Sequence, residues 1–509
     1  MTRRQRAERR REQQPERRYA RERRGQLPPE QRRSGTGGGN SGAYGANSAP
    51  GASGAPGAPG ASGEPYTETR LERVVGRGLA RVTRAPLAPY QAAVVRIGFS
   101  LCWLLFLLRE WPHRQELYGP DGPWSWQLAR RLVADNHSFT VLLWSDADAW
   151  FQFVYVLAIA ASVALLLGWR TRTASVLFMV GVLALQNRSV FEGDGGDNVI
   201  HLMSMYLVFT RCGQVWSLDA RRQRLRASES PAVPGTDTSG AAGPVLWCVL
   251  GAALVAATAA GGLGLGWGLF FWSLWAAHAL WWAVDRYAPH SEARGVCDTL
   301  ANLAHNGALL VMVVEVCLIY STAGWYKIQG SRWQDGTAVY YPMRLDYFSP
   351  WPELSHVLAG SGLLVMLLTY GTVMVQVAFP FTLFNRRVKN VLLAAMISEH
   401  LSIAVLLGLP FFSLAMIGAD AIFLPTAALV WLGARASGVA GRLGLRPRRT
   451  GTDEAPADGG AYEEHERGAR RGAHQERGER AELGAHGERT EPVYQPSDEP
   501  VRASEEREG

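Results

Sequence analysis

Cysteine and charge are both scarce in this chain, and each scarcity removes a class of protein. Only five cysteines occur in 509 residues: Cys102, Cys212, Cys248, Cys297 and Cys317. They fall in apolar stretches or in links expected on the cytoplasmic side, and their spacing suits neither a metal site nor a disulfide framework. Nucleotide, haem and metal motifs are also missing, which weighs against enzymes that use those cofactors. Charged residues make up 19% of the chain and hydrophobic residues 47%, yet the mean hydropathy is only -0.05. That average describes a soluble protein. The distribution does not, because charge and apolar residues are segregated along the chain.

The segregation predicts three regions. Residues 1–86 begin with an Arg-rich run interrupted by Glu and continue through Gly, Ser, Ala and Pro up to residue 64. Such a composition buries too little apolar surface to offset chain entropy, so it is expected to be disordered. An Arg-rich arm suits either nucleic acid or anionic lipid. The plainer reading is a solvated arm that fixes orientation and touches headgroups, with no nucleic-acid partner expected. The first apolar stretch lies too deep in the chain for a secretory signal. Residues 87–434 hold nearly all the apolar runs, and residues 435–509 form a second mixed-charge tail, again expected to be disordered.

About 20 apolar residues are needed to cross a bilayer as a helix. Ten segments qualify as candidates: 90–108, 149–168, 172–189, 197–212, 243–262, 264–284, 303–324, 357–379, 388–408 and 411–433. The fold expected is therefore all-α, a polytopic bundle of about ten transmembrane helices with disordered cytoplasmic tails. The fifth and sixth candidates are joined by Gly261, Gly262 and Gly264, and read either as a hairpin or as one broken segment. Basic links orient the bundle. The N-terminal arm, Arg170/Arg172, the run 219–224, the 385–389 link and the tail from Arg435 all belong inside, while the acidic link Phe191–Asp194 belongs outside. Ten crossings with both termini cytoplasmic satisfy this pattern, apart from the arginines of the long external loop 109–148. The expected location is the cell membrane.

The stretch 323–352, AGWYKIQGSRWQDGTAVYYPMRLDYFSPWP, mixes aromatics, Gly and charge beside an apolar helix. That mixture reads as an ordered surface or re-entrant loop. Through Ala323-Gly324, Lys327, Trp333, Gly336 and Phe348-Ser349-Pro350 it resembles the corresponding stretch of the vitamin K-dependent γ-carboxylases and their bacterial relatives, the HTTM (horizontally transferred transmembrane) domain proteins. Further pieces follow in the family order. These are Gly168-Trp169-Arg170-Thr171-Arg172, Asp197-Asn198, Trp216-Ser217-Leu218-Asp219, and His400 ahead of Phe412-Ser413. The resemblance spans about residues 87–430, without 243–290.

The resemblance implies chemistry at the outer face. Animal carboxylases oxidise a vitamin K quinol with oxygen, and the strong base so formed removes a glutamate γ-proton before carbon dioxide adds. A lysine after the Ala-Gly pair activates the quinol, and Lys327 stands in that place. The implied cofactor here is a reduced isoprenoid quinone, or another lipid-soluble small molecule, taken from the lipid bilayer. Two departures limit the likeness. Asn198 stands near the point where the animal enzymes carry an important histidine, and no lumenal β-rich region follows the bundle, so processive carboxylation of protein glutamates is not expected.

Read from the residues alone, Lys327 either snorkels to the interface among aromatics or sits partly buried as a base. Glu399 and His400 lie inside an apolar helix, where ionisable groups face a cavity or a partner. His201 follows Asp197-Asn198 by one turn and suits an interhelical hydrogen bond. Arg96 and Glu315 are further intramembrane charges that pair with each other or with Asp420. Lys327 and His400 are thus the candidate catalytic residues. Arg96, Asn198, His201, Trp333, Gly336, Tyr340, Tyr341 and Glu399 are the candidate substrate-binding residues, and no metal ligands are assigned. Lys327, His400 and the 323–350 loop are expected to line one cavity, with Trp333, Tyr340 and Tyr341 above it. The alternative is a non-enzymatic membrane protein, for immunity, scaffolding or transport, that shares only the fold; a transporter proper is a weaker option, since inverted repeats and paired broken helices are not seen.

Overall fold

The computed structural model describes residues 70–228 and 242–442. The readings made above for residues 1–69, and for the tail beyond residue 442, lie outside the described residues. In chain order the helices are α1 (Arg70–Arg84), α2 (Pro89–Arg109), α3 (Arg114–Tyr118), α4 (Trp126–Asn136), α5 (Asp148–Leu167), α6 (Thr171–Arg188), α7 (Gly195–Leu207), α8 (Leu218–Ser228), α9 (Ala242–Ala259), α10 (Leu265–Tyr287), α11 (Glu292–Gln329), α12 (Ser331–Gln334), α13 (Pro352–Ala359), α14 (Gly362–Ala378), α15 (Arg386–Leu406), α16 (Pro410–Asp420) and α17 (Thr426–Arg442). Among the described residues every regular element is helical.

Among the described residues, five helices are long and apolar enough to cross a membrane: α2, α5, α11, α14 with the turn after it, and α15. The segment expected as one last span is two, α16 and α17, bent by 116°. Pro425 follows the break, and the ring of a proline disfavours helical backbone in the residue before it. The 243–284 stretch is a hairpin. Gly261 turns the chain at φ 69°, and Trp247 stacks on Trp275 with centroids 3.9 Å apart. Helix α11 runs on to Gln329, so Lys327 occupies its last turn rather than a loop. Residues 70–84 and 435–442 were expected within the tails but are helical.

The core forms around α2, which packs on α5 and α16, while α16 also packs on α7 and α15. Two-thirds (67%) of the apolar stretch of α2 is buried, against 17% of that of α15. Thus α2 is central, and α15 presents most of its surface outward. Glycines set the closest crossings. A Cβ on Gly98 would lie 3.1 Å from the Gly418 Cα, and one on Gly196 would lie 2.7 Å from the Phe412 Cα. A Cβ on Gly324 would meet the Val377 side chain at 2.5 Å, so α11 and α14 touch one turn before Lys327.

A buried polar seam between α11, α14, α15 and α16

The close approach at Gly324 puts the last turn of α11 against α14. Lys327 donates from Nζ to Gln376 Oε1 at 2.7 Å, and Gln376 donates from Nε2 to Glu399 Oε1 at 2.6 Å. One ammonium and one carboxylate are thereby linked across three helices by an amide that has one face for each. Pairing opposite charges lowers the cost of keeping both from water. The Lys327 ammonium also lies 5.3 Å from the centroid of the Trp333 ring.

Two turns earlier on α11, Tyr320 joins a second chain. Its hydroxyl donates to Asp420 Oδ1 at 2.9 Å and lies 3.0 Å from His400 Nε2. A phenol has one proton to give. Because that proton goes to Asp420, the Tyr320 oxygen accepts from His400 Nε2–H. The neutral imidazole then carries its lone pair on Nδ1. Tyr320, His400 and Asp420 are 1%, 2% and 0% exposed. Among the described residues, neither His400 Nδ1 nor Asp420 Oδ2 finds a hydrogen-bond partner. Buried polar atoms are nearly always satisfied. His400 Nδ1 is an acceptor, and Asp420 Oδ2 is one while its carboxyl is ionised; in that state the group that fits both is a donor.

The remaining sequence candidates divide into separate places. Asn198 and His201 line a cavity of about 160 Å³ with Asp197, Gln186, Trp103 and Phe106, between α2, α6 and α7. His201 Nδ1 meets Gln186 Oε1 at 2.9 Å, and Gln186 Nε2 donates to the Asp197 carbonyl at 3.0 Å. The Gln186 oxygen must therefore accept, so His201 donates from Nδ1 and keeps Nε2 as an acceptor. Trp103 Nε1 is buried on this wall without a partner. Lys327 and His400 do not line this cavity. Phe412 packs beside His400, with ring centroids 5.7 Å apart, and its edge lies against Gly195 at the start of α7.

Arg96 belongs to neither group. Its guanidinium is spent on backbone carbonyls: those of Leu165, Leu166 (2.8 Å) and Trp216 (2.8 Å). It caps the end of α5 instead of pairing with Glu315 or Asp420. Glu315 instead faces the Tyr206 hydroxyl. The Arg96 clasp also explains two of the sequence motifs. In one, Asp219 accepts from the backbone N–H of Arg170 (2.9 Å) and Thr171 (2.8 Å) and so caps α6; in the other, Gly168 turns the chain at φ 69°. Tyr340 and Tyr341 are half-exposed and pair with each other at 5.6 Å, with Arg344 and Arg332 over their rings, and so do not cover Lys327. Gly336, at φ 76°, turns the loop against Met366 and Tyr370. Beside it, the Thr337 hydroxyl and N–H hold the Asp335 carboxyl below its ordinary range.

Tyr320 and Gln376 were missed by sequence reasoning, since a tyrosine and a glutamine in apolar helices carry no distinctive spacing. One signal was available and unused. The chain has two lysines, Lys327 and Lys389, among 52 basic residues; the other fifty are arginine. A guanidinium stays protonated, whereas an amine can lose its proton.

The fold and the seam define an all-helical chain with membrane-length apolar helices and an inward-facing set of titratable side chains. Compared with family models, curated proteins and solved structures, the chain finds no match.

Proposed function

We propose that this is a multi-pass cell-membrane protein of the HTTM type, related to the vitamin K-dependent carboxylases, that binds a lipid-soluble quinol and takes a proton from it. The observation that carries the reading is the pair of orphaned acceptors, His400 Nδ1 and Asp420 Oδ2, beside the Lys327–Gln376–Glu399 chain. A quinol hydroxyl is a donor, and its apolar body suits a seam reached from lipid. His400 Nδ1 is the acceptor that receives the proton, and Lys327 receives one only as the free amine, becoming the ammonium that faces Glu399. Glu399 balances the ammonium, and Tyr320 with Asp420 fixes the His400 tautomer. The cavity of about 160 Å³ at Asn198 and His201 has room for a ring-sized body, since a cavity of about 150 Å³ holds benzene. A reduced isoprenoid quinone is the cofactor this chemistry selects.

The proposal includes the topology. Ten crossings with both termini cytoplasmic place the Lys327 end of α11 and the 331–350 loop outside, with α16 and α17 together making the last crossing. A non-enzymatic role rests on the same ion pair: Lys327 and Glu399 neutralise each other, as a structural pair would. Lipid extraction of the purified protein separates the two readings. A quinone is expected to copurify with the wild type and to be lost from Lys327→Ala and His400→Ala at unchanged expression. Wild-type quinone retention by the double variant defeats the proposal.

A further inference from the structure

Helix α1 lies just ahead of the first membrane-length helix, and its sequence has two faces. Arg73, Arg77, Arg81 and Arg84 recur at intervals of four, four and three, so they share one stripe. Val75, Leu79 and Val82 share the other, and Val74 lies on the border beside Arg77 and Arg81. Both stripes are open in the described structure. The four arginines are exposed, and Val74, Val75 and Leu79 are 52%, 58% and 60% exposed.

The C-terminal end of α1 is tied to α11 by side-chain hydrogen bonds. Asn306 donates from Nδ2 to the carbonyls of Val82 (2.7 Å) and Ala85 (3.0 Å), and accepts from the Leu87 N–H at 2.7 Å. Asn302 donates to the Thr83 carbonyl at 3.0 Å and accepts from Arg211 Nη1 at 2.6 Å. Through Asn302, α1 joins a second basic group. Arg172, Arg294 and Arg211 stand 4.2, 4.8 and 5.9 Å from the Trp281 ring. Asp298 and Asp285 pair with Arg211 and Arg294. That leaves one more guanidinium than carboxylate in the group.

An exposed apolar stripe backed by arginines is the pattern of a helix lying in a membrane interface. We infer that α1 lies in the interface at the N-terminal end of α2, with Val75 and Leu79 among acyl chains. Its arginines, with the Trp281 cluster, hold anionic phospholipid headgroups. Val75 and Leu79 lie one turn apart on one stripe and are open together, beside an exposed row of arginines, which suits an interface of acyl chains and headgroups. A leaflet supplies both an apolar layer and phosphate at the correct separation. The clamp at Asn302 and Asn306 fixes the angle at which α1 leaves α2.

Hydrogen exchange of residues 72–84 in the full-length protein tests this, in phosphatidylcholine nanodiscs with and without phosphatidylglycerol. Protection is expected to rise when phosphatidylglycerol is present. Arg73→Gln/Arg77→Gln/Arg81→Gln is expected to abolish that rise, each arginine accounting for about fivefold. Val74→Ser/Val75→Ser/Leu79→Ser is expected to lower protection in both lipids. All six substitutions are on exposed positions, and unchanged exchange within α11 confirms that each variant is folded. Equal protection with and without phosphatidylglycerol overturns the inference, as does protection retained by the arginine variant. Protection in lipid-free detergent that grows with protein concentration assigns the stripe to a second copy of the chain and also overturns it.

Discussion

Tyr320 has one proton and two buried neighbours, and this limits what the residue can do. It donates to Asp420 and therefore must accept from His400. Replacing it with phenylalanine keeps the ring but strands both neighbours, which are already short of one partner each. Leaving a buried polar group unsatisfied costs about 1–3 kcal/mol. Tyr320→Phe is thus expected to lower the melting temperature of the detergent-solubilised protein and to weaken quinone retention. An unchanged melting temperature shows that the hydroxyl contributes nothing to the fold. At the same scale, Lys327 is distinguished by its side-chain type. In a chain with fifty arginines, an amine stands where a carbonyl oxygen and a carboxylate await a cation.

Helices in this bundle are placed by what they omit. Gly196, in the first turn of α7, leaves no room for a side chain, because the nearest atom is the Phe412 backbone and not a movable side-chain tip. Gly98 is likewise held close to the backbone of α16, at Gly418, where α2 crosses it. The Gly196 contact sets how closely the Phe412 backbone approaches the first turn of α7. Gly196→Val must push α16 away, at a cost of about 1–3 kcal/mol. The expected result is loss of stability together with a changed fluorescence of Trp103, which lines the Asn198/His201 cavity. A variant as stable as wild type, with the same emission, shows that α7 and α16 have slack that the geometry denies.

For the molecule as a whole, the open question of practical weight is sidedness. The proposed topology puts the 331–350 loop outside. In a cysteine-free background, Ser331→Cys is expected to react with a membrane-impermeant maleimide added to intact cells. Reaction only after lysis reverses the topology, and with it the leaflet from which the seam is reached. The bend between α16 and α17 bears on the same point, because Asp420 lies just before it. The break thus holds a carboxylate at the centre of the bundle, where an unbroken helix would carry the chain straight past.

The helical segments were legible in the sequence because apolar runs are a local property: helices stand at all ten expected segments, but among the described residues only five are long and apolar enough to cross a membrane, and the 357–379 and 411–433 segments are each broken in two. Gly261 marked the hairpin turn for the same reason, and Glu399-His400 stood out as ionisable residues in an apolar run. Other features depend on which helices meet. Arg96 looked like a site residue in sequence because a charge in an apolar helix needs a partner; only the arrival of the α5 end and Trp216 beside it showed that the partners are carbonyls. The loop tyrosines turned toward arginines for the same reason. Tyr320, Gln376 and Asp420 gain their roles from residues 23 to 100 positions away, contacts that packing creates and no local pattern encodes. Composition and periodicity determined that this chain is helical and apolar in its middle. Tertiary structure decided which polar groups share a seam, because hydrogen bonds act over about 3 Å and sequence spacing does not reveal which helices approach that closely.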